Sequence, residues 1–127
     1  MGARRSAARG TNQVYRISHI GDYSQVTHKS RIYWSAPAAR GKSTLPPTLR
    51  YIALSRFSDD SPEWPDGAWS VEVRFDVPPP EQGSKNVSEG WVRFLMDNGP
   101  NERLFPGARF SLFEGLQKVA DVEVLIE

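Results

Sequence analysis

The chain has 127 residues, the length of one domain that can bury a core of its own without covalent staples. It contains no cysteine, which excludes disulfides and thiolate metal sites and suits a reducing compartment, so we expect a cytoplasmic protein. No apolar run approaches the roughly 18 residues that span a bilayer, and the arginine-containing start lacks the apolar segment of a secretory signal. We therefore expect no membrane partner; an organelle transit peptide is the alternative interpretation of this start.

The net charge of +1 conceals an asymmetry between the two halves of the chain. Residues 1–57 contain ten Lys or Arg and one acid, Asp22, whereas residues 58–127 contain six Lys or Arg and fourteen acids. Such an asymmetry is typical of an interaction surface, often one for nucleic acid. It is equally explained by basic and acidic strands that pair across one sheet and cancel locally.

The first part of the chain predicts a basic arm rather than a folded unit. Residues 1–13 have no apolar periodicity and carry Arg4, Arg5 and Arg9, which is typical of a mobile segment. Residues 14–20 alternate and could form a short strand. We assign residues 1–28 to this arm, partly disordered or contributing an extra strand, and residues 29–127 to a single β-barrel domain.

Within residues 29–127 the apolar residues alternate with polar ones, as they do in half-buried strands. The clearest case is 69–77, where Glu72 and Asp76 are predicted on the solvent face, as are Asp121 and Glu123 near the end of the chain. The segment 91–96 looks buried on both faces. Gly- and Pro-rich loops are predicted at 39–48, 58–67, 78–90 and 97–107. The predicted strands are 30–36, 49–57, 69–77, 91–96, 109–114 and 119–127.

No segment shows a sustained helical period, so the fold class is all-β, either a sandwich or a small closed barrel. We predict a closed antiparallel six-stranded β-barrel with a flexible basic N-terminal arm. Closure removes exposed sheet edges. Glu114 and Gly115 separate the last two strands, and Gly115 supplies the positive φ of a tight hairpin. Gly107 lets the turn after Pro106 close.

Residues 90–127, GWVRFLMDNGPNERLFPGARFSLFEGLQKVADVEVLIE, resemble the end of the third domain of bacterial elongation factor Tu. Residues 39–57, ARGKSTLPPTLRYIALSRF, are similar to the family's Gly-Arg-x-Thr-Pro loop and the strand after it, although the order is shuffled and the second glycine is missing. The resemblance covers roughly residues 29–127 and implies a six-stranded antiparallel barrel. The positions that fit the family pattern are Gly107, Phe110, Glu114, Gly115, Val119, Val122 and Val124.

The resemblance implies binding rather than catalysis. The chain has no phosphate loop for a nucleotide, and the family's GTPase domain and middle barrel are absent, so GTP hydrolysis and aminoacyl-tRNA delivery are not implied. In the family this barrel contributes to contacts with the T-stem of tRNA and with partner proteins. The positions that match its tRNA side are Lys42 (or Arg40), Glu114 and Gly115.

Basic and aromatic residues interleave between residues 31 and 57, which supports RNA binding independently of the family. Cations hold phosphates and aromatic faces stack unpaired bases, so Arg31 and Arg50 join Arg40 and Lys42 as predicted contacts. The alternative is that Trp34, Tyr51 and Phe57 pack inside the barrel and the arginines are merely solvated.

The remaining features predict no catalytic chemistry. His19 and His28 are expected to be surface histidines rather than metal ligands, the acids are scattered, and there is no nucleophile elbow or thiol. We therefore expect no enzyme, cofactor or metal. Trp64 lies in a Pro-rich acidic loop and is either a lid over the barrel end or an exposed anchor for a protein partner.

Two functions remain open from the sequence. The first is a non-catalytic module that contacts RNA or tRNA through its basic N-terminal half. The second is a protein-interaction module, such as a small inhibitor or adaptor, or a homodimer, that uses an acidic face, Trp64 or an unclosed barrel edge.

Overall fold

The computed structural model describes residues 26–36 and 45–126. Residues 1–25 of the predicted basic arm, the strand candidate at 14–20, His19, and the loop residues Arg40 and Lys42 lie outside the described residues, whereas residues 26–28 of the arm are described. The described residues form six β-strands. They are β1 (His28–Trp34), β2 (Arg50–Arg56), β3 (Ser70–Arg74), β4 (Val87–Phe94), β5 (Arg109–Glu114) and β6 (Gln117–Val124).

The six strands form a closed barrel in the order β1-β4-β3-β2-β5-β6, and every neighbouring pair is antiparallel. Closure is achieved by β1, which pairs with β4 on one side and with β6 on the other. This confirms the predicted fold class, an all-β closed barrel of six antiparallel strands.

The core consists of the inward residues of every strand. Ile32, Val71 and Val92 are fully buried, and Phe57 stacks on Phe110 with ring centroids 4.8 Å apart. Trp34 and Phe57 are buried and Tyr51 packs against the core. These three aromatic residues therefore pack in the interior, which is the alternative to base stacking that the sequence left open. An interior this narrow is filled by side chains and leaves no channel.

Strand β4 differs most from its prediction. It begins at Val87, so the predicted loop 78–90 is wrong over its last four residues. It is also not buried on both faces: Val92 and Phe94 point inward, whereas Trp91 and Arg93 are only half-buried on the outer face. Gly90 pairs with Ser30 of β1, and a Cβ there would lie 2.8 Å from the carbonyl oxygen of Arg74. Glycine is thus required inside this strand by a close backbone approach.

The last two strands form the predicted hairpin. Gly115 has φ +61°, which confirms the tight turn, and Glu114 pairs with Gln117. The register between β5 and β6 shifts between Leu112 and Phe113, an irregularity of the β-bulge kind.

Connections between strands are short or turn-rich. Two single turns of 3-10 helix occupy Pro79–Glu81 and Asn101–Arg103. The part of the chain that the structure describes contains no helix long and apolar enough to span a membrane.

Candidate nucleic-acid interface

Four outward side chains form a continuous row across four neighbouring strands. Arg50 of β2 is directly opposite Arg74 of β3, Arg74 is opposite Trp91 of β4, and Trp91 is opposite Lys29 of β1. Neighbouring strands are about 4.8 Å apart, so the row extends over about 14 Å of the outer surface. We call these four residues the basic row.

The aromatic member of the basic row is partly covered by its basic neighbour. Lys29 Nζ lies 5.1 Å from the centroid of the Trp91 ring, within the range of a cation–π contact. Lys29 Nζ is also 3.8 Å from a carboxylate oxygen of Glu89, a weak and partly exposed ion pair. The long lysine side chain can therefore leave the ring at small cost.

A fully buried carboxylate lies beside the basic row. Glu72 of β3 is 0% exposed, with Ile52 directly opposite on β2 and Arg93 opposite on β4. Arg50 Nε donates a hydrogen bond to Glu72 Oε2, Arg93 Nε donates to Oε1 at 2.6 Å, and Arg74 Nε forms an ion pair with Oε1 at 3.4 Å. Three guanidinium groups therefore surround one carboxylate.

The three arginines decide the protonation state of Glu72. Burial is the largest single influence and by itself raises the pKa of the carboxyl. The hydrogen bond from Arg50, the charge and hydrogen bond of Arg93 and the charge of Arg74 together outweigh it, so the pKa of Glu72 is lowered from its ordinary value. Glu72 is consequently a carboxylate at neutral pH.

The prediction that Glu72 lies on a solvent face is wrong. The residue does point outward, as the alternation of β3 predicts, but its neighbours cover it. Long arginine side chains on β2 and β4 fold over the carboxylate because the charged hydrogen bonds compensate for its lost hydration. Arg93 is only 17% exposed, whereas Arg50 and Arg74 remain 53% and 61% exposed.

The surface around the basic row carries a surplus of positive charge. The five cations and two carboxylates joined by the ion pairs there sum to +3, and Glu123 of β6 lies directly opposite one of the cations, Arg31. Arg31 belongs to this group and donates to Glu89 at 3.2 Å. The seven residues are Lys29, Arg31, Arg50, Arg74, Arg93, Glu72 and Glu89.

The charge asymmetry of the sequence is partly neutralised by pairing between strands. Lys29 and Arg31 from the basic half pair with Glu89 from the acidic half, and Arg50 pairs with Glu72. On β6, Asp121 accepts a hydrogen bond from Ser111 and pairs with Lys118. Burial raises the pKa of Asp121, but these two contacts outweigh it, so the pKa is lowered from its ordinary value. Local cancellation therefore explains much of the asymmetry, and the basic row marks where it is incomplete.

The predicted contact residues are placed as follows. Arg50 is the first member of the basic row, and Arg31 lies beside its other end. Glu114 accepts a hydrogen bond from the hydroxyl of Tyr51, whose ring packs against the core, so this contact lies on the inner side of β2 and not on the outer face that carries the row. Arg40 and Lys42 are outside the described residues.

Trp64 packs on the outside of the barrel. Its Nε1 donates to the carbonyl of Ser55 at 2.9 Å, its ring meets Phe113 edge-on at 4.7 Å, and Arg56 lies 4.9 Å from its centroid. The indole is therefore half-buried against β2 and β5 rather than placed over an end of the barrel.

A concave surface lies on the side of the barrel away from the basic row. It has a volume of about 590 Å³ and is bordered by Tyr33, Arg56, Arg109, Asp121 and Glu123. Its charges are of both signs, and Arg109 pairs with Glu123 at 3.4 Å. This mixed surface has no surplus of either charge and selects no ligand.

No metal-binding chemistry is visible in residues 26–36 and 45–126. Within these ranges, no group of three or more His, Asp or Glu side chains is placed to hold a metal ion. His28 is the first residue of β1.

Sequence reasoning missed Lys29, Arg74, Trp91 and Arg93 as members of one surface. Lys29 is an outward residue of β1, Arg74 of β3, and Trp91 and Arg93 of β4, and these three strands meet only through the register. The available signal was the alternation of β3 and β4, which places Arg74, Trp91 and Arg93 on outer faces but does not say which strands are neighbours.

Comparisons of the chain with models of protein families, with curated proteins and with solved structures found no match.

Proposed function

We propose that this protein is a non-catalytic RNA-binding module that contacts RNA through the basic row. The observation that carries the proposal is the row itself, three cations and a tryptophan on four adjacent strands. Cations on a curved sheet bind backbone phosphates, and a tryptophan face stacks an unpaired base. Lys29 is released from Trp91 when it pairs with a phosphate.

The resemblance of residues 90–127 to the third domain of elongation factor Tu supports tRNA as the first ligand to test. In that family the barrel contributes to contacts with the T-stem of tRNA. A cysteine-free RNA-binding protein would act in the cytoplasm, which we include in the proposal.

The alternative, a protein-interaction module or homodimer that uses Trp64 or an acidic face, has less support. The Trp64 indole is engaged by Ser55 and Phe113 of its own barrel. Glu72 and Glu89, two acids of the C-terminal half, are paired with arginines and lie on the basic surface.

Fluorescence anisotropy with labelled tRNA and with a short duplex RNA, at low and at moderate salt, tests the proposal. We expect saturable binding to tRNA that is tighter than binding to the duplex and weakens as salt rises. Trp91→Ala should weaken the affinity about tenfold, the value of one stacked base, and Arg74→Gln several-fold. Arg109→Gln is the matched control, because Arg109 is 77% exposed on β5, away from the row.

Absence of binding at low salt would refute the RNA proposal. Equal losses in Arg74→Gln and Arg109→Gln would show that only overall charge matters and that the basic row is not the site. The double substitution of Arg40 and Lys42 by alanine tests the position taken from the elongation factor resemblance, because an unchanged affinity would remove those two residues from the interface.

A further inference from the structure

Two arginines of the basic row stand directly opposite one another, which is unfavourable unless another group holds them. Arg50 and Arg74 are register partners on β2 and β3, and the Cβ atoms of such partners lie about 5 Å apart. Like charges at this separation repel. Glu72 relieves the repulsion because it contacts the Nε atom of both side chains from its buried position.

The contacts with Glu72 leave the outer edges of both guanidinium groups available. Each arginine uses Nε toward Glu72, and the Nη atoms of Arg50 and Arg74 donate no hydrogen bond to the residues that the structure describes. Both side chains are more than half exposed. A guanidinium has five N–H donors in a rigid fork, and its Nη groups match the geometry of phosphate oxygens.

The charges of Glu72 and its three arginines do not balance, so the group attracts a further anion. One carboxylate faces three arginines, so two positive charges remain after Glu72 is neutralised. Arg93 is the most buried of the three and donates the 2.6 Å hydrogen bond to Glu72, so the surplus belongs to the two exposed arginines.

We propose that Arg50 and Arg74 form a phosphate-binding site for a phosphodiester of bound RNA, and that Glu72 is its positioning residue. Through a hydrogen bond from Arg50 Nε and an ion pair with Arg74 Nε, Glu72 holds the two side chains next to each other and leaves their Nη groups for one phosphate. The inference rests on the proposed RNA-binding function and adds to it a defined subsite and a role for a buried acid.

The test compares Glu72→Gln with Glu89→Gln by anisotropy, using a short labelled oligouridylate and labelled tRNA. Both substitutions remove one negative charge from the same surface, so electrostatics alone predicts equal or tighter binding for both. The positioning role predicts that Glu72→Gln weakens binding about tenfold, that Glu89→Gln does not, and that Glu72→Asp recovers part of the loss. Glu89 is the matched control because it is half exposed and pairs with Lys29 and Arg31 instead.

Unchanged or tighter binding by folded Glu72→Gln would overturn the positioning role, while the RNA proposal would stand if the wild type binds and Arg74→Gln weakens binding. No binding by the wild type would overturn both. If circular dichroism shows that Glu72→Gln does not fold, the double variant Arg50→Lys, Arg74→Lys replaces it. That variant keeps both charges and loses both forks, so we expect about tenfold weaker binding, and unchanged affinity would overturn the site.

A titration with inorganic phosphate shows whether the site binds a phosphodiester of RNA or free phosphate. The Nε–Hε signals of Arg50 and Arg74 in an NMR spectrum should shift with oligouridylate and change little with inorganic phosphate at the same phosphate concentration. Equal shifts with both would overturn the assignment to RNA in favour of a site for free phosphate.

Discussion

Glu72 shows how a single residue can be buried on the outer face of a barrel and remain charged. Its pKa is lower in the folded chain than its ordinary value of 4.5, so ionised Glu72 stabilises the fold above that value. The contribution is lost as the pH falls through the lowered folded pKa. We expect Glu72→Gln to reduce the free energy of unfolding by about 2 kcal/mol near pH 7, because it removes charged hydrogen bonds from Arg50 and Arg93 and the ion pair with Arg74. Urea unfolding of both proteins measures this difference.

The same experiment at decreasing pH tests the sign of the effect. The difference between wild type and Glu72→Gln should shrink below the ordinary value of 4.5. Asp121 also has a lowered pKa, so the wild type and the variant should both retain an acid dependence from that residue. A difference that stays constant down to strongly acidic pH would mean that the carboxylate charge contributes nothing to stability.

A second prediction at the residue scale concerns the left-handed position in the last hairpin. Gly115 has φ +61°, and a Cβ at this backbone conformation costs about 1 kcal/mol. Gly115→Ala should therefore lower the urea midpoint, whereas Leu116→Ala, at the next position and 76% exposed, should not. Equal midpoints for the two variants would show that the hairpin adopts another turn in solution.

At the scale of elements, Trp64 attaches the 58–67 connection to the outside of the barrel, while Asp59 and Asp60 pair with Arg103 of another connection. Trp64→Phe keeps a ring near Phe113 but removes the donor to the Ser55 carbonyl, so we expect a loss of about 1 kcal/mol on thermal or urea unfolding. Trp64→Ala should cost more, about 2 kcal/mol for a half-buried tryptophan. An unchanged stability in Trp64→Ala would show that the indole is not held by the barrel and would favour its use as an anchor for a protein partner.

The elements also show what the sequence could and could not predict. Alternation in 69–77 and the Glu114–Gly115 turn are local patterns, and both led to correct strands and to the barrel. The start of β4 was missed because Ser88, Glu89 and Gly90 look like loop residues when their pairing with β1 is unknown. The burial of Glu72 depends on arginines of β2 and β4, and no pattern within β3 can reveal which side chains cover it.

At the scale of the whole molecule, the net charge of +1 is a poor guide to how the protein meets an anion. Residues 26–36 and 45–126 contain ten Lys or Arg and thirteen Asp or Glu, and many of these charges are paired across strands, within a strand or between loops. The basic row contains three cations and no acid, so it attracts and orients a polyanion locally, whereas the mixed surface near Arg109 and Glu123 does not.

This arrangement predicts a defined salt dependence for RNA binding. If Lys29 neutralises one phosphate and Arg50 and Arg74 together neutralise another, the logarithm of the affinity should fall with the logarithm of salt concentration with a slope of about −1.4 for a single strand. The affinity then drops roughly 7-fold between about 50 and 200 mM salt. Arg74→Gln should make the slope shallower because Arg50 alone then holds the second phosphate, and Arg109→Gln should leave it unchanged because Arg109 lies away from the row. A slope near zero for a protein that still binds RNA would mean that stacking on Trp91, rather than phosphate contact, supplies the affinity.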